Sequence, residues 1–160
     1  GMPERFPKLK TIWIESGLAW IPFLMQRLDH EVLMRPSEAP GLKRLPSEYM
    51  REMYYTSQPL ERTNMKLLEA TMEAMNAETQ LLYASDYPHW DFDLPSSVYD
   101  LPFLSEKAKH NILGGTAARL FKLNYGEIII ASTACSPWRG QRLERSYLSQ
   151  SGSSATGLNA

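Results

Sequence analysis

Three short apolar runs in this sequence are each followed by polar side chains that could bind a ligand. In chain order these polar residues are Glu15, Thr56, Gln58, Asp86 and His89. Carboxylate and imidazole groups can transfer protons or bind a cation, and hydroxyl and amide groups can orient a substrate. Polar residues at such places are also common in turns. The spacing alone therefore fits both a ligand site and ordinary turn chemistry.

The apolar runs predict β-strands, and the segments between them predict helices. Residues 11–14, 53–55 and 81–84 are rich in β-branched, aromatic and aliphatic side chains. Helical apolar spacing follows at about 18–34 and 61–79. This alternation indicates an α/β fold in which βαβ units form a parallel sheet.

One apolar stripe is predicted on each of the two longer helices. The first stripe is Trp20, Phe23, Leu24 and Leu28, and the second is Met65, Leu68, Met72 and Met75. Because the carboxyl ends of parallel strands meet at one edge, the polar residues that follow the three strands should converge there.

Composition restricts the function classes. Seventeen basic and eighteen acidic residues give a net charge of −1, which argues against a nucleic-acid-binding surface. No stretch approaches the roughly 20 apolar residues that cross a bilayer, and no apolar leader follows the first residues. The one cysteine, Cys135, cannot form an internal disulfide. We expect a soluble cytoplasmic protein that binds a small molecule, if active, and neither nucleic acid nor membrane.

Several motifs resemble those of one enzyme family. Ser85-Asp86-Tyr87-Pro88-His89 after an apolar strand resembles the last-strand motif of the amidohydrolase-related family of metal-dependent hydrolases, which includes aminocarboxymuconate semialdehyde decarboxylase. Residues 112–121, ILGGTAARLF, resemble the family's closing signature ILGGNAxRLF, with Thr116 at the Asn position. Residues 6–10 and 14–17 resemble the segment that enters the sixth strand of the family's barrel. Two further short motifs, residues 27–29 and 46–49, also resemble the family.

The resemblance implies a fold and a division of the chain. Residues 4–123 would be the C-terminal part of a (β/α)8 TIM barrel, comprising its last three strand–helix units with parallel strands. Residues 124–160 resemble nothing in the family. They contain one strand-like run, 127–131, and the polar end at 149–160 is expected to be disordered.

The resemblance also implies roles for the site residues. Asp86 would ligate a divalent metal or hold the attacking water as general base. Glu15 stands where many relatives carry a catalytic histidine and could orient substrate or shuttle a proton. His89 could reach the substrate, or it could be a turn histidine bonded to backbone. Thr56 and Gln58 would contact the substrate.

Zinc or manganese is the cofactor that the resemblance implies. The family's first strand supplies an H-x-H pair and its fifth strand another histidine, and neither strand is found here. The three histidines, His30, His89 and His110, have no metal-ligand spacing. The spacing of Asp86, Asp91 and Asp93 is superficially that of a calcium loop, but the required glycine and glutamate are missing. Metal binding by this chain is therefore expected to be weak or absent.

Two functions remain open. The chain could be a C-terminal fragment of a metal-dependent amidohydrolase, acting on C–N or C–O bonds or in a related decarboxylation, and incomplete as a catalyst on its own. Alternatively, it could be a non-catalytic, truncated barrel piece that folds by self-association. Both readings predict a homo-oligomer, most simply a dimer, because the strands are apolar on both faces.

Overall fold

A computed structural model describes residues 1–124 of the 160-residue chain. The strand predicted at 127–131, the disorder predicted at 149–160 and Cys135 lie outside the described residues. The elements are α1 (Met2–Arg5), β1 (Ile12–Trp13), α2 (Trp20–Met34), a 3-10 turn (Pro36–Glu38), α3 (Pro46–Met50), β2 (Tyr54–Thr56), α4 (Met65–Ala74), α5 (Ala77–Gln80), β3 (Leu81–Leu82), α6 (Ser96–Tyr99), α7 (Glu106–His110), a π-helical turn (Asn111–Gly115) and α8 (Thr116–Phe121).

The three strands form a parallel sheet in the order β1-β2-β3, so the predicted parallel α/β arrangement is confirmed. Ile12 pairs with Tyr54, and Thr56 pairs with Leu82. Each strand has only two or three residues. The middle strand extends one residue beyond the predicted run, so that Thr56 belongs to the strand itself.

The apolar stripe predicted for the first long helix is wrong in part. Ile21 and Met25 are the buried residues of α2, whereas Phe23 and Leu28 are 67% and 37% exposed. Apolar side chains occur almost all round the first two turns, so their period did not specify one face. The ring of Trp20 selects the face, because it packs edge-on against the rings of two strand residues, Trp13 and Tyr55.

The helix predicted at about 61–79 is divided into α4 and α5. Asn76 between them has a φ of 57°, in the left-handed region that interrupts a helix. The Asn64 side chain accepts a hydrogen bond from Leu67 N at 3.1 Å and caps the start of α4. The predicted apolar face is correct: its buried members are Leu68, Met72 and Met75, with Met65 partly buried against them.

The hydrophobic core surrounds the middle strand. Tyr55 is fully buried, and its hydroxyl donates to Met50 O at 2.9 Å. Burial raises the pKa of the Tyr55 hydroxyl to about 12. Beyond β3, Tyr83 N donates to Ile112 O at 2.8 Å, which attaches the last strand to the π-helical turn. Within residues 1–124, no helix has the length and apolar character needed to cross a membrane.

Candidate active site

The strand ends place the predicted site residues along one edge of the sheet. Glu15 follows β1, Gln58 follows β2 and Asp86 follows β3, each within four residues of the strand end. Since adjacent parallel strands end at the same edge, these residues lie on the side where α/β proteins bind ligands. Glu15 and Asp86 have φ values of 50° and 58°, a conformation that non-glycine residues keep only where their surroundings fix it.

A cluster of two aspartates and one histidine lies on the turn after β3. Asp86, His89 and Asp91 each offer a ligand atom, and all three atoms lie within 4.8 Å of one another. His89 Nδ1 is 3.2 Å from Asp86 Oδ2, and His89 N donates to Asp86 O at 2.9 Å. The Asp86 side chain is 14% exposed and that of His89 is 66% exposed. The cluster is therefore open to solvent on the histidine side.

Hydrogen bonds attach this turn to the segment after β2. Ser57 Oγ donates to Ala84 O at 3.3 Å and accepts from Ala84 N at 3.1 Å. Gln58, whose side chain is buried, donates from Nε2 to Asp91 O at 3.5 Å. These contacts fix the position of the cluster relative to the middle strand.

Asp93 provides a further link between the same two segments. Its Oδ2 atom accepts a hydrogen bond from Leu60 N at 3.1 Å. Its backbone oxygen accepts from the Tyr83 hydroxyl at 2.7 Å, and its backbone nitrogen donates to Ser85 O at 2.9 Å. Burial raises the pKa of the Asp93 carboxyl, and burial together with the Asp93 charge raises the pKa of Tyr83.

Glu15 and Thr56 form a second pair at this edge. Glu15 N donates to Thr56 Oγ1 at 2.9 Å, and the Thr56 side chain is buried. The Glu15 side chain is exposed. The hydroxyl of Thr56 therefore has a structural contact that fixes the Glu15 backbone, and the Glu15 carboxylate is accessible to a ligand.

Asp91 was the residue that sequence reasoning set aside. It was considered only as part of a calcium loop, yet its carboxylate lies beside Asp86 and His89. The available signal was the D-x-x-H-x-D spacing across a turn that contains Pro88. The backbone N–H of His89 donates to Asp86 O within the turn, and the His89 side chain contacts the Asp86 carboxylate.

The other two histidines do not join this cluster. His30 lies on α2 and His110 is the last residue of α7, which agrees with their predicted helical positions.

The parallel strand–helix order, with polar residues at the carboxyl edge, defines an α/β protein with a parallel sheet. The amidohydrolase family model matches residues 1–123, and the chain belongs to this family. This membership agrees with the motifs at Asp86 and at residues 112–121. A search of curated proteins gives no significant match.

Among the solved structures that are similar to this chain, three are described. 5-Carboxyvanillate decarboxylase from Sphingomonas paucimobilis is 30% identical with a TM-score of 0.60, and the match covers 78% of this chain and 37% of that enzyme. An amidohydrolase from Mycobacterium avium subsp. paratuberculosis K-10 is 24% identical with a TM-score of 0.62, over 75% of this chain and 30% of that protein.

The third structure is dihydroxybenzoic acid decarboxylase from Polaromonas sp. JS666, with bound manganese and the inhibitor 2-nitroresorcinol. It is 23% identical with a TM-score of 0.55, over 78% of this chain and 37% of that enzyme. Because these last two proteins are only 24% and 23% identical to this chain, their similarity to it concerns the fold alone. The chain spans 30% to 37% of the lengths of the three proteins.

Proposed function

We propose that this chain is the C-terminal portion of a metal-dependent amidohydrolase barrel, namely its last three strand–helix units. Its chemistry would be hydrolysis of a C–N or C–O bond or a related decarboxylation, and the chain alone would be an incomplete catalyst. The observation that carries the proposal is the cluster at Asp86, on the turn after the last strand of a parallel sheet. The match to the family over residues 1–123 supports it.

Asp86 is the proposed metal ligand or general base. Its carboxylate is largely shielded from solvent and contacts His89, so a proton accepted by Asp86 could pass to the exposed imidazole. Glu15, exposed at the end of β1, is proposed to orient the substrate or shuttle a proton. Gln58 and Thr56, at the end of β2, are the proposed substrate-binding residues.

The donor set is suited to a divalent metal such as zinc or manganese. Carboxylate and imidazole are ligands for both ions, and Asp86 with its neighbour His89 supplies one of each. When bound, such an ion lowers the pKa of water and polarises a carbonyl group. The sequence has only three histidines, and two of them, His30 and His110, lie on helices and are not members of this cluster. We therefore propose that this chain by itself holds the metal weakly.

Hydroxylated aromatic carboxylates are the substrate class that we propose to test first. Two of the three structures described above are decarboxylases whose names specify such compounds. In decarboxylation the bond between the ring and its carboxylate breaks, carbon dioxide leaves and the ring carbon takes up a proton. Glu15 stands where the resemblance places a histidine, so the source of this proton would differ, and hydrolysis remains the other reaction.

The alternative proposal is a non-catalytic barrel piece that folds by self-association. The observation that favours it is the outer edge of β1, which pairs with no strand within residues 1–124. Trp13 and the adjoining Ile14 are 42% and 64% exposed there. This reading predicts association without any metal-dependent binding of a small molecule.

Binding of 2-nitroresorcinol to the 160-residue chain separates the two proposals. The enzymatic proposal predicts that the chain binds this compound when Mn²⁺ is present. Asp86→Asn and Gln58→Ala should each weaken binding by about tenfold or more. Asp100→Asn is the control, because Asp100 is an exposed carboxylate beyond α6. Calorimetry that detects no binding would contradict the enzymatic proposal. Carbon dioxide release from a dihydroxybenzoate by the chain alone would contradict the proposal that this chain is an incomplete catalyst on its own.

A further inference from the structure

An open groove of about 490 Å³ lies between α4, α5 and α7 and has acidic side chains along it. Glu69, Glu73 and Glu78 line this acidic groove, and none of the described residues that line it is a lysine or an arginine. By contrast, the lining of a groove beside α1 has two glutamates, one lysine and one arginine, so that its charges balance. The acidic groove therefore favours a positively charged occupant.

Two of the three glutamates have no cation beside them. Within residues 1–124, Glu78 pairs with Lys107 at 2.6 Å, whereas Glu69 and Glu73 form no ion pair. Both are exposed, and they lie four residues apart on α4, where like charges on a helix repel each other. A cation in the groove would offset this repulsion.

The groove also has an apolar surface. Phe103 and Leu104 are only partly buried where they pack against the core, and Met72 and Ala108 are buried beside them. Apolar contact area in the centre, with charges at the rim, is the usual composition of a surface that binds another polypeptide. The groove thus suits a segment in which apolar side chains alternate with basic ones.

Residues 5–10, RFPKLK, have this composition and lie at the surface. All six residues are exposed, and the large apolar side chains of Phe6 and Leu9 are 52% and 58% exposed. The three basic residues of the segment are Arg5, Lys8 and Lys10. The nearby carboxylates pair with other basic residues, and no ion pair within residues 1–124 includes these three. Exposed apolar groups next to one another often mark an interaction site.

We propose that residues 5–10 of one copy of this chain bind in the acidic groove of a second copy. Three basic side chains would face three glutamates, and Phe6 and Leu9 would contact the apolar surface of the groove. Because this contact joins two different surfaces, it can continue from copy to copy. It uses neither the candidate site residues nor the outer edge of β1, so it is independent of the proposed function.

A fluorescein-labelled peptide of residues 4–10 is the probe for the groove. Fluorescence anisotropy with the 160-residue chain should show saturable binding that weakens by about tenfold or more from low to high salt. Glu69→Gln combined with Glu73→Gln should weaken binding by about tenfold. Glu61→Gln is the matched control, because Glu61 is an exposed glutamate outside the groove. A peptide with Phe6→Ser and Leu9→Ser should bind much more weakly than the probe.

Sedimentation velocity of the chain tests the assignment to a second copy. At roughly millimolar concentration, larger species should form at low salt than at high salt. The double glutamine variant should lose them, and Glu61→Gln should keep them. Absence of saturable probe binding, unchanged binding in the double variant, or equal binding of the serine peptide would each overturn the inference. Probe binding without salt-sensitive self-association would overturn the second copy as the occupant.

Discussion

Asp93 shows how one partly buried carboxyl can position a whole turn. Its side chain accepts a hydrogen bond from Leu60 N, after β2, while its backbone bonds to Tyr83 and Ser85 on its own segment. The turn that carries Asp86 is thereby attached to the neighbouring strand end. Because this attachment partly buries a carboxyl, the stability of the protein should depend on pH through Asp93.

We expect Asp93 to make the protein less stable as the pH rises. Burial raises the pKa of its carboxyl above the ordinary 3.8, so the folded protein binds this proton more tightly than the unfolded chain does. Stability from the protonated form is present below 3.8 and is lost as the pH rises through the folded pKa. Asp93→Asn cannot ionise, so its stability relative to the wild type should increase across that interval. Urea unfolding at a series of pH values measures the difference.

Other carboxyls act in the opposite direction, so the comparison must be a difference between variants. Hydrogen bonds and basic partners lower the pKa of Glu4, Glu31 and Glu52, and their contributions grow as the pH rises towards 4.5. These contributions cancel when the Asp93→Asn curve is subtracted from that of the wild type. Parallel curves for the two proteins would show that Asp93 does not titrate differently on folding.

At the scale of elements, Tyr49 on α3 connects three parts of the chain. Its hydroxyl donates to Glu4 Oε1 at 2.5 Å, on α1, and accepts from Lys43 N and Arg44 N, both at 3.1 Å. The Arg44 guanidinium lies 4.4 Å from the centre of its ring. The long connection between α2 and β2 is thus attached to the rest of the protein through one buried side chain.

Tyr49→Phe should lower the free energy of unfolding by about 1 to 3 kcal/mol, because two backbone N–H groups lose their acceptor. Chemical denaturation of the purified variant measures the loss. Tyr99→Phe is the matched control, since Tyr99 is 54% exposed and the same change should have little effect there. An equal change in both variants would show that the Tyr49 contacts contribute nothing of their own.

The elements differ in how far the sequence predicted them. The strands and their parallel order were predictable because each short run of apolar residues is followed by helical spacing. The break at Asn76 was not, because it depends on one residue with a left-handed backbone. The buried face of α2 depends on contacts of Trp20 that are distant in sequence. The reason for Asp91 is different, because its spacing from Asp86 was compared only with that of a calcium loop, whereas the folded turn places its carboxylate beside Asp86 and His89.

At the scale of the whole molecule, the two edges of the sheet differ in what packs against them. On the β3 side, the bond between Tyr83 N and Ile112 O attaches the π-helical turn. On the β1 side, no further strand is paired within residues 1–124, and Trp13 and Ile14 are substantially exposed. Open strand edges with apolar side chains tend to pair with other chains. The prediction of self-association therefore applies specifically to the outer edge of β1.

We predict that the chain is a dimer in which the β1 edge is covered by a second copy. A stable interface buries roughly 800 Å² per partner, and two-fold pairing is the commonest arrangement. Light scattering at micromolar concentration should give about twice the chain mass of 18.3 kDa. Ile14→Lys should shift the protein to the monomer, since the new charge would be buried at the edge. Leu33→Lys, at a residue of α2 that is 70% exposed, should leave the dimer intact. A folded wild-type monomer, or equal dissociation in both variants, would contradict this assignment of the interface.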